Sequence, residues 1–120
     1  MYVPDDTITA VATPPGPGGI GIVRISGPDA ATIALAILLR TSPLEPRLAT
    51  VTLVVSGGES QPIDRVLATY FPAPKSYTGE DVVEISAHGS PVLLRRIVEL
   101  TVSAGARLAE PGEFTLRAFV

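Results

Sequence analysis

Three side chains in this sequence are of types that could take part in binding or catalysis: Arg24, Glu84 and His88. Glu84 and His88, the one histidine of the chain, both lie in the segment TGEDVVEISAHGSP at residues 78–91. Glu84 falls in the middle of a segment with strand periodicity, where it either points to solvent or lies at a buried edge and accepts hydrogen bonds from a ligand. Arg24 falls on a second predicted strand, where its guanidinium needs an anionic partner or a route to water.

Other chemical motifs give weaker signals. Residues 16–21 match G-x-G-x-x-G, but a dinucleotide site needs a helix after the glycines, and the residues that follow alternate as a strand. The chain has no GK[ST] phosphate loop and no cysteine, and His88 has no second histidine with which to bind zinc. Ser86 and Ser90 lack the G-x-S-x-G context of a serine hydrolase. We therefore predict no catalytic residue and no metal site, and we assign His88 to packing or hydrogen bonding at a strand end.

Composition narrows the class of protein. A chain of 120 residues with 46% hydrophobic content can bury a core as one domain. No apolar run approaches the roughly 20 residues that cross a bilayer, and no secretory signal is visible. The absence of cysteine then favours a cytoplasmic protein. A net charge of −3 disfavours independent binding of nucleic acid.

Hydrophobic periodicity and turn residues predict the order β-β-α-β-β-β-α-β. The predicted strands cover residues 7–13, 20–26, 48–55, 63–71, 81–87 and 106–109, and the predicted helices cover residues 29–39 and 91–104. Because each helix links strands of one sheet, we predict an α+β fold, a two-layer α/β plait with a mixed sheet, over a single domain of residues 1–120. A further helix begins near Phe114 and is cut short at Val120, which we interpret as the start of a following helical region.

Prolines, glycines and serines mark the ends of these elements. Residues 14–19, PPGPGG, predict an irregular loop, and residues 56–60 predict the turn of a hairpin. Ser90 is placed to cap the second helix, and Gly105 to end it. The helix over residues 29–39 is apolar almost all round, so we expect it to be buried or pressed against a partner, and we predict a homodimer.

Three motifs carry a resemblance to a known family. They are TPPGPGGIGIVRISG at residues 13–27, FPAPKSYTGEDVVEISAHGSP at residues 71–91 and ARLAEPGEFTLRAF at residues 106–119. Together they resemble the N-terminal domain of the tRNA modification GTPases of the MnmE or TrmE family. The resemblance implies a plait similar to the tetrahydrofolate-binding domain of the glycine-cleavage aminomethyltransferase. It also implies a constitutive homodimer that binds 5-formyl- or 5,10-methylene-tetrahydrofolate.

The same resemblance implies which domains, activity and partners accompany this domain in the full protein. In this family a helical domain and an inserted GTPase domain follow, and the GTPase hydrolyses GTP with Mg²⁺ and K⁺. With the flavoprotein GidA (MnmG), the full protein installs a 5-carboxymethylaminomethyl-type group on the wobble uridine of certain tRNAs in the cytoplasm. The folate supplies the one-carbon unit. We expect the present chain alone to be non-catalytic, and tRNA to be bound by the full complex and not by this domain.

The family's folate contacts map onto two residues of this sequence. The arginine of G-I-[VL]-R-I-S-G is Arg24, and the second glutamate of T-G-E-D-V-[VL]-E is Glu84. A third contact, a lysine beyond R-A-F-[LV], has no counterpart before Val120, and Pro17 stands where the family often has a basic residue. Two alternatives stay open: a dimerisation module with marginal folate binding, and a stand-alone small-molecule enzyme.

Overall fold

A computed structural model describes residues 4–13, 19–56 and 62–120. Its six strands are β1 (Ile8–Val11), β2 (Ile20–Ser26), β3 (Thr50–Val55), β4 (Pro62–Phe71), β5 (Val82–His88) and β6 (Arg107–Leu108). Its three helices are α1 (Ala30–Ile37), α2 (Pro91–Ser103) and α3 (Glu113–Ala118). The predicted order of elements is confirmed. Residues 14–18 of the predicted glycine loop, with Pro17, and residues 57–60 of the predicted hairpin turn lie outside the described residues.

The six strands form one sheet in the order β3-β4-β5-β2-β1-β6. Neighbouring strands are antiparallel except β1 and β6, which are parallel. The predicted mixed sheet and α+β class are therefore confirmed, as is the pairing of β3 with β4. The central strands, β5 and β2, pair with each other over seven residue pairs, from Ile20 with His88 to Ser26 with Val82.

Helices α1 and α2 cover one face of the sheet. Alternate residues of the central strands point into this layer, because side chains on a strand alternate between faces. Val23 and Ile25 of β2 and Val83 and Ile85 of β5 are fully buried there. They pack in one cluster with apolar residues of the helices, among them Ile33 and Ile97 of α1 and α2. The core thus lies between the sheet and one helical layer.

A local cap sets the start of α2, whereas a contact with a distant strand sets the end of α1. Ser90 Oγ accepts a hydrogen bond of 3.4 Å from the Leu93 amide at the start of α2, as predicted. Helix α1 ends at Ile37, two residues before the predicted end, because the Leu39 amide donates to Leu53 of β3 and not to its own helix.

In the part of the chain that the structure describes, no helix is long and apolar enough to cross a membrane.

The opposite face of the sheet lacks a layer formed by α1 or α2. Near one end it exposes Ile20, Val51 and Leu67, whose side chains are 66%, 64% and 43% exposed. Helix α1, which the sequence predicted to be buried or pressed against a partner, turns Ala30, Ile33, Ala34 and Ile37 into the core. Exposed apolar side chains thus occur together on this part of the sheet, while others, such as Val92 of α2 and Phe119, are exposed elsewhere. The homodimer itself stays a prediction.

Candidate functional site

Sheet register places Arg24 and Glu84 directly opposite each other. Arg24 of β2 is the cross-strand partner of Glu84 of β5. Ala10 of β1 pairs with Arg24, and Thr69 of β4 pairs with Glu84, so the four residues form one row across the sheet. Because the neighbours of Arg24 along β2 face the core, the row lies on the opposite, open face. The structure thus brings together two residues that are 60 positions apart in sequence.

The two side chains form an ion pair. Arg24 Nε donates to Glu84 Oε2 at 2.9 Å, and the side chains of Arg24 and Glu84 are 18% and 24% exposed. The sequence left open whether either residue points to solvent, and the structure shows that each meets the other. Within the described residues, no hydrogen bond is assigned to the terminal nitrogens of Arg24 or to Glu84 Oε1. A cross-strand pair of this kind stabilises a sheet by only about 0.2–1 kcal/mol.

Two aromatic rings flank the Arg24 guanidinium. Arg24 Cζ lies 4.5 Å from the centre of the Tyr77 ring and 5.2 Å from the centre of the Phe114 ring. These distances are within the range of cation–π attraction. The Tyr77 hydroxyl and the Thr115 hydroxyl are 3.2 Å apart, which joins the loop before β5 to α3. The site therefore combines charged donors and acceptors with flat apolar surfaces.

Neither Tyr77 nor Phe114 was predicted from the sequence to belong to a site. Both lie in motifs that carry the family resemblance, yet neither has a local feature that marks it as part of a site. Tyr77 is 53 positions, and Phe114 is 90 positions, from Arg24, so only tertiary packing could show the contact. The available signal was their position in those motifs, in a loop and in a short helix rather than in a predicted core element.

The loop that carries Tyr77 is fastened to the end of β2. The Ser26 hydroxyl donates to Glu80 Oε1 at 2.8 Å, which leaves the Thr78 hydroxyl as the donor in the 2.7 Å contact between Thr78 and Ser26. The Gly27 amide donates to the Asp81 carbonyl at 2.9 Å. Ser26 and Thr78 are buried. These bonds hold the loop beside the Arg24–Glu84 pair.

A second group of charges lies next to this loop, and we call it the clasp: Asp6, Glu80, Arg107, Glu113 and Arg117. Arg117 bonds to Asp6 Oδ1 at 2.8 Å and to Glu80 Oε1 at 3.1 Å, and its Nη2 lies 3.4 Å from Glu113 Oε2. Arg107 bonds to Asp6 and to Glu113, each at 2.7 Å. The side chain of Arg117 is 2% exposed and that of Glu113 is 7% exposed. The clasp joins the segment before β1 to the loop before β5 and to α3.

The clasp predicts a dependence of stability on acid pH. Hydrogen bonds from Arg107 and then Arg117 lower the pKa of Asp6 from 3.8 to about 2, and those from Arg107 lower the pKa of Glu113 from 4.5, against the effect of burial. Since both folded-state pKa values lie below the unfolded ones, the stabilisation is present above pH 4.5 and is lost as the pH falls towards 2.

The variant Asp6→Asn isolates this effect. Asp6 is nearly half exposed, so solvent screening reduces its contribution to on the order of 1 kcal/mol. The free energy of unfolding in urea should therefore fall less steeply between pH 5 and pH 2 in Asp6→Asn than in the unaltered chain. Asp5→Asn, a change at an exposed neighbour, is the control. Parallel pH profiles for the Asp6→Asn variant and the unaltered chain would contradict the prediction.

His88 takes the role predicted for it at a strand end. Its Nδ1 lies 2.9 Å from Asp64 Oδ1, and its backbone amide donates to Asp64 Oδ2 at 3.3 Å. The imidazole is 74% exposed. It borders a depression of about 360 Å³ that Ile20 and Leu67 also line. No group of three or more potential metal ligands occurs among the residues described here.

These features define the class of protein. It is an α+β domain in which two helices cover one face of a mixed sheet, and the open face holds a half-buried arginine–glutamate pair beside aromatic rings. The chain belongs to the family described as GTP-binding protein TrmE N-terminus, whose family model matches residues 7–120.

Curated relatives agree with this membership. The chain is 52% identical over 119 residues to the tRNA modification GTPase MnmE of Koribacter versatilis, which covers 97% of this chain and 26% of the relative. It is 56% identical over 115 residues to that of Legionella pneumophila (strain Corby) and 48% identical over 115 residues to that of Thermotoga maritima. Each of these two matches covers 96% of this chain and 25% of the relative. The chain therefore spans about a quarter of the length of the relatives it matches.

Proposed function

We propose that this domain binds a reduced folate, 5-formyl- or 5,10-methylene-tetrahydrofolate, at the Arg24–Glu84 pair. The observation that carries the proposal is the pair itself, held half-buried on an open sheet face next to Tyr77 and Phe114. The proposal agrees with the family resemblance, which maps folate contacts to the same two residues. The proposal also implies that the plait is similar to the tetrahydrofolate-binding domain of the glycine-cleavage aminomethyltransferase.

The chemistry of the pair suits a pterin ring. A pterin presents an amino group and a ring N–H side by side, and a carboxylate can accept both as a bidentate pair. Arg24 uses one lone pair of Glu84 Oε2, and each carboxylate oxygen has two, so Glu84 can keep Arg24 while it binds the ligand. The terminal nitrogens of Arg24 can then donate to an acceptor on the same ligand. The aromatic rings supply apolar surface for a flat heterocycle.

We further propose that the domain serves a longer tRNA modification GTPase. The printed names of its relatives describe such proteins, of which the matched region is about a quarter. GTP, Mg²⁺ and K⁺ would bind in that longer protein, because this chain has no phosphate loop. The one-carbon unit would pass to the wobble uridine of certain tRNAs with the flavoprotein GidA (MnmG), in the cytoplasm.

Calorimetric titration with 5-formyltetrahydrofolate tests the folate proposal. We expect a chain extended past residue 120 to bind at least tenfold more tightly than the 1–120 chain, since the lysine implied by the resemblance adds one charged contact of about 1–3 kcal/mol. Equal affinities would show that Arg24 and Glu84 suffice. The absence of binding to the longer chain at millimolar ligand would remove the folate proposal.

The alternative function, a dimerisation module, has its own support. The open face exposes Ile20, Val51 and Leu67 near the end away from α3, and exposed apolar patches on a sheet commonly mark protein contacts. We propose a homodimer with a two-fold, self-complementary interface, as the family resemblance implies. Folate binding and dimerisation are compatible in one domain.

Sedimentation velocity tests self-association. We expect a dimer at micromolar concentration, and we expect Ile20→Asp to shift it towards monomer because the substitution buries a charge in an apolar contact. Val92→Asp is the matched control, since Val92 is 75% exposed on α2, on the other side of the sheet. A monomer in the unaltered chain at this concentration would contradict the proposal. An equal effect of the two substitutions would place the contact elsewhere.

A further inference from the structure

The buried side chains of helix α3 are charged, whereas its apolar side chains Phe114 and Leu116 are only half-buried. It has six residues, too few for a stable isolated helix. Its two buried side chains are Glu113 and Arg117, both members of the clasp. Phe114 is half-buried and Phe119, just past the helix, is 87% exposed. The hydrogen bonds of the clasp are therefore a main contribution to the location of α3 on the sheet.

The clasp reaches both aromatic rings of the Arg24 site. Phe114 belongs to α3, and Tyr77 belongs to the loop that includes Glu80. Arg117 is the side chain common to the two, because it bonds to Glu80 Oε1 at 3.1 Å and pairs with Glu113 at 3.4 Å within α3. Glu80 also accepts from Ser26, two positions from Arg24 on β2. A continuous set of bonds thus runs from Arg117 to the strand that carries Arg24.

Arg117 contributes more to the placement of neighbouring segments than to the stability of the fold. Burying a guanidinium is costly, and a buried ion pair often stabilises a fold no more than apolar side chains of similar volume. The Nε of Arg117 is also buried with no hydrogen-bond partner among the described residues, which adds a desolvation cost. What the arginine supplies is a planar fork that reaches three segments at once, which a lysine or an apolar residue cannot do.

We propose that Arg117 is a positioning residue for the Arg24–Glu84 site. Through Glu80 and Glu113 it fixes the loop that carries Tyr77 and the helix that carries Phe114, and so sets the rings beside the Arg24 guanidinium. The effect of Arg117 on ligand affinity rests on the proposed folate function, whereas its effect on the surroundings of Arg24 does not.

A ligand-free measurement tests the positioning directly. In arginine side-chain NMR spectra, the Nε–Hε signal of Arg24 reports its bond to Glu84, and its Hδ signals report the ring currents of Tyr77 and Phe114. We expect Arg117→Lys, which keeps the charge but loses the fork, to move these signals towards their positions in an unfolded chain. The amide signals of Ile25 and Val83 in the core should stay in place. Arg95→Lys, the same change at an exposed residue of α2, is the control and should move none of them.

A second variant and a second readout complete the test. Glu80→Gln keeps the shape of the side chain but removes one charge of the clasp, and it should move the Arg24 signals in the same direction by less. Affinity for 5-formyltetrahydrofolate should fall at least tenfold in Arg117→Lys and stay unchanged in Arg95→Lys.

The possible outcomes separate this inference from the folate proposal. Unmoved Arg24 signals in both clasp variants would overturn the positioning role, even if both variants were less stable. Displaced signals in a chain whose unaltered form binds no folate would support the positioning role and remove the folate proposal.

Discussion

Replacing Glu84 by alanine is expected to weaken the binding of 5-formyltetrahydrofolate by about 1.5–3 kcal/mol, or roughly 10- to 150-fold. The loss has two physical sources. The ligand loses a charged acceptor, and Arg24, whose side chain is only 18% exposed, loses the partner at 2.9 Å that orients it. The measurement is a calorimetric titration with a chain extended past residue 120, in which the unaltered protein gives the reference affinity.

Two comparisons make the Glu84 result specific. Glu99→Ala changes an exposed glutamate on α2, on the covered side of the sheet, and should leave affinity unchanged. The Glu84→Ala variant should also keep its cooperative unfolding, because an exposed or half-buried cross-strand pair contributes at most about 1 kcal/mol to stability. An unchanged affinity in Glu84→Ala would exclude this carboxylate from the folate site.

Replacing Gly27 by alanine is expected to destabilise the fold by about 3 kcal/mol or more. Gly27 follows β2 directly, with a φ of 142°, a region that L side chains rarely adopt. A Cβ at this position would lie 2.5 Å from Thr7 Cα and 2.9 Å from the Asp6 carbonyl oxygen, both of them backbone atoms that cannot rotate away. Strain of about 1–3 kcal/mol and overpacking of about 1–3 kcal/mol therefore act together. Urea unfolding measures the loss.

Gly79→Ala separates the two causes. Gly79 also has a positive φ, of 81°, but a Cβ there would meet no atom within 4 Å. Its substitution should cost about 1–2 kcal/mol, which is the backbone strain without the overpacking. If both alanine variants lost the same stability, the close approach of Gly27 to the segment before β1 would not be the cause. That segment includes Asp6 of the clasp, so Gly27→Ala should also displace the Arg24 signals.

Local sequence patterns determined the elements of this fold and placed their ends within two residues of those in the structure. Strand β2 was predicted with the bounds that the structure has, since the alternation of IGIVRIS is regular and glycines precede and follow it. The start of α2 followed from Ser90 and Pro91, whose effects act within one helical turn. The end of α1 was wrong by two residues, because Leu38 and Leu39 bond to β3, and a contact between distant segments leaves no local mark.

For the site, the sequence determined which residue types were available, and the tertiary structure decided which of them meet. Arg24 and Glu84 were recognised from their positions in strands and in family motifs, but their pairing depends on the register of β2 against β5. A slip of one residue would have moved Glu84 to the core face. Tyr77, Phe114 and Arg117 lie in those motifs too, but no local feature marked them as part of a site. Their roles arise from bonds across 37 to 111 positions of the chain, and such bonds form only when the sheet brings the loop before β5, α3 and the segment before β1 to one place.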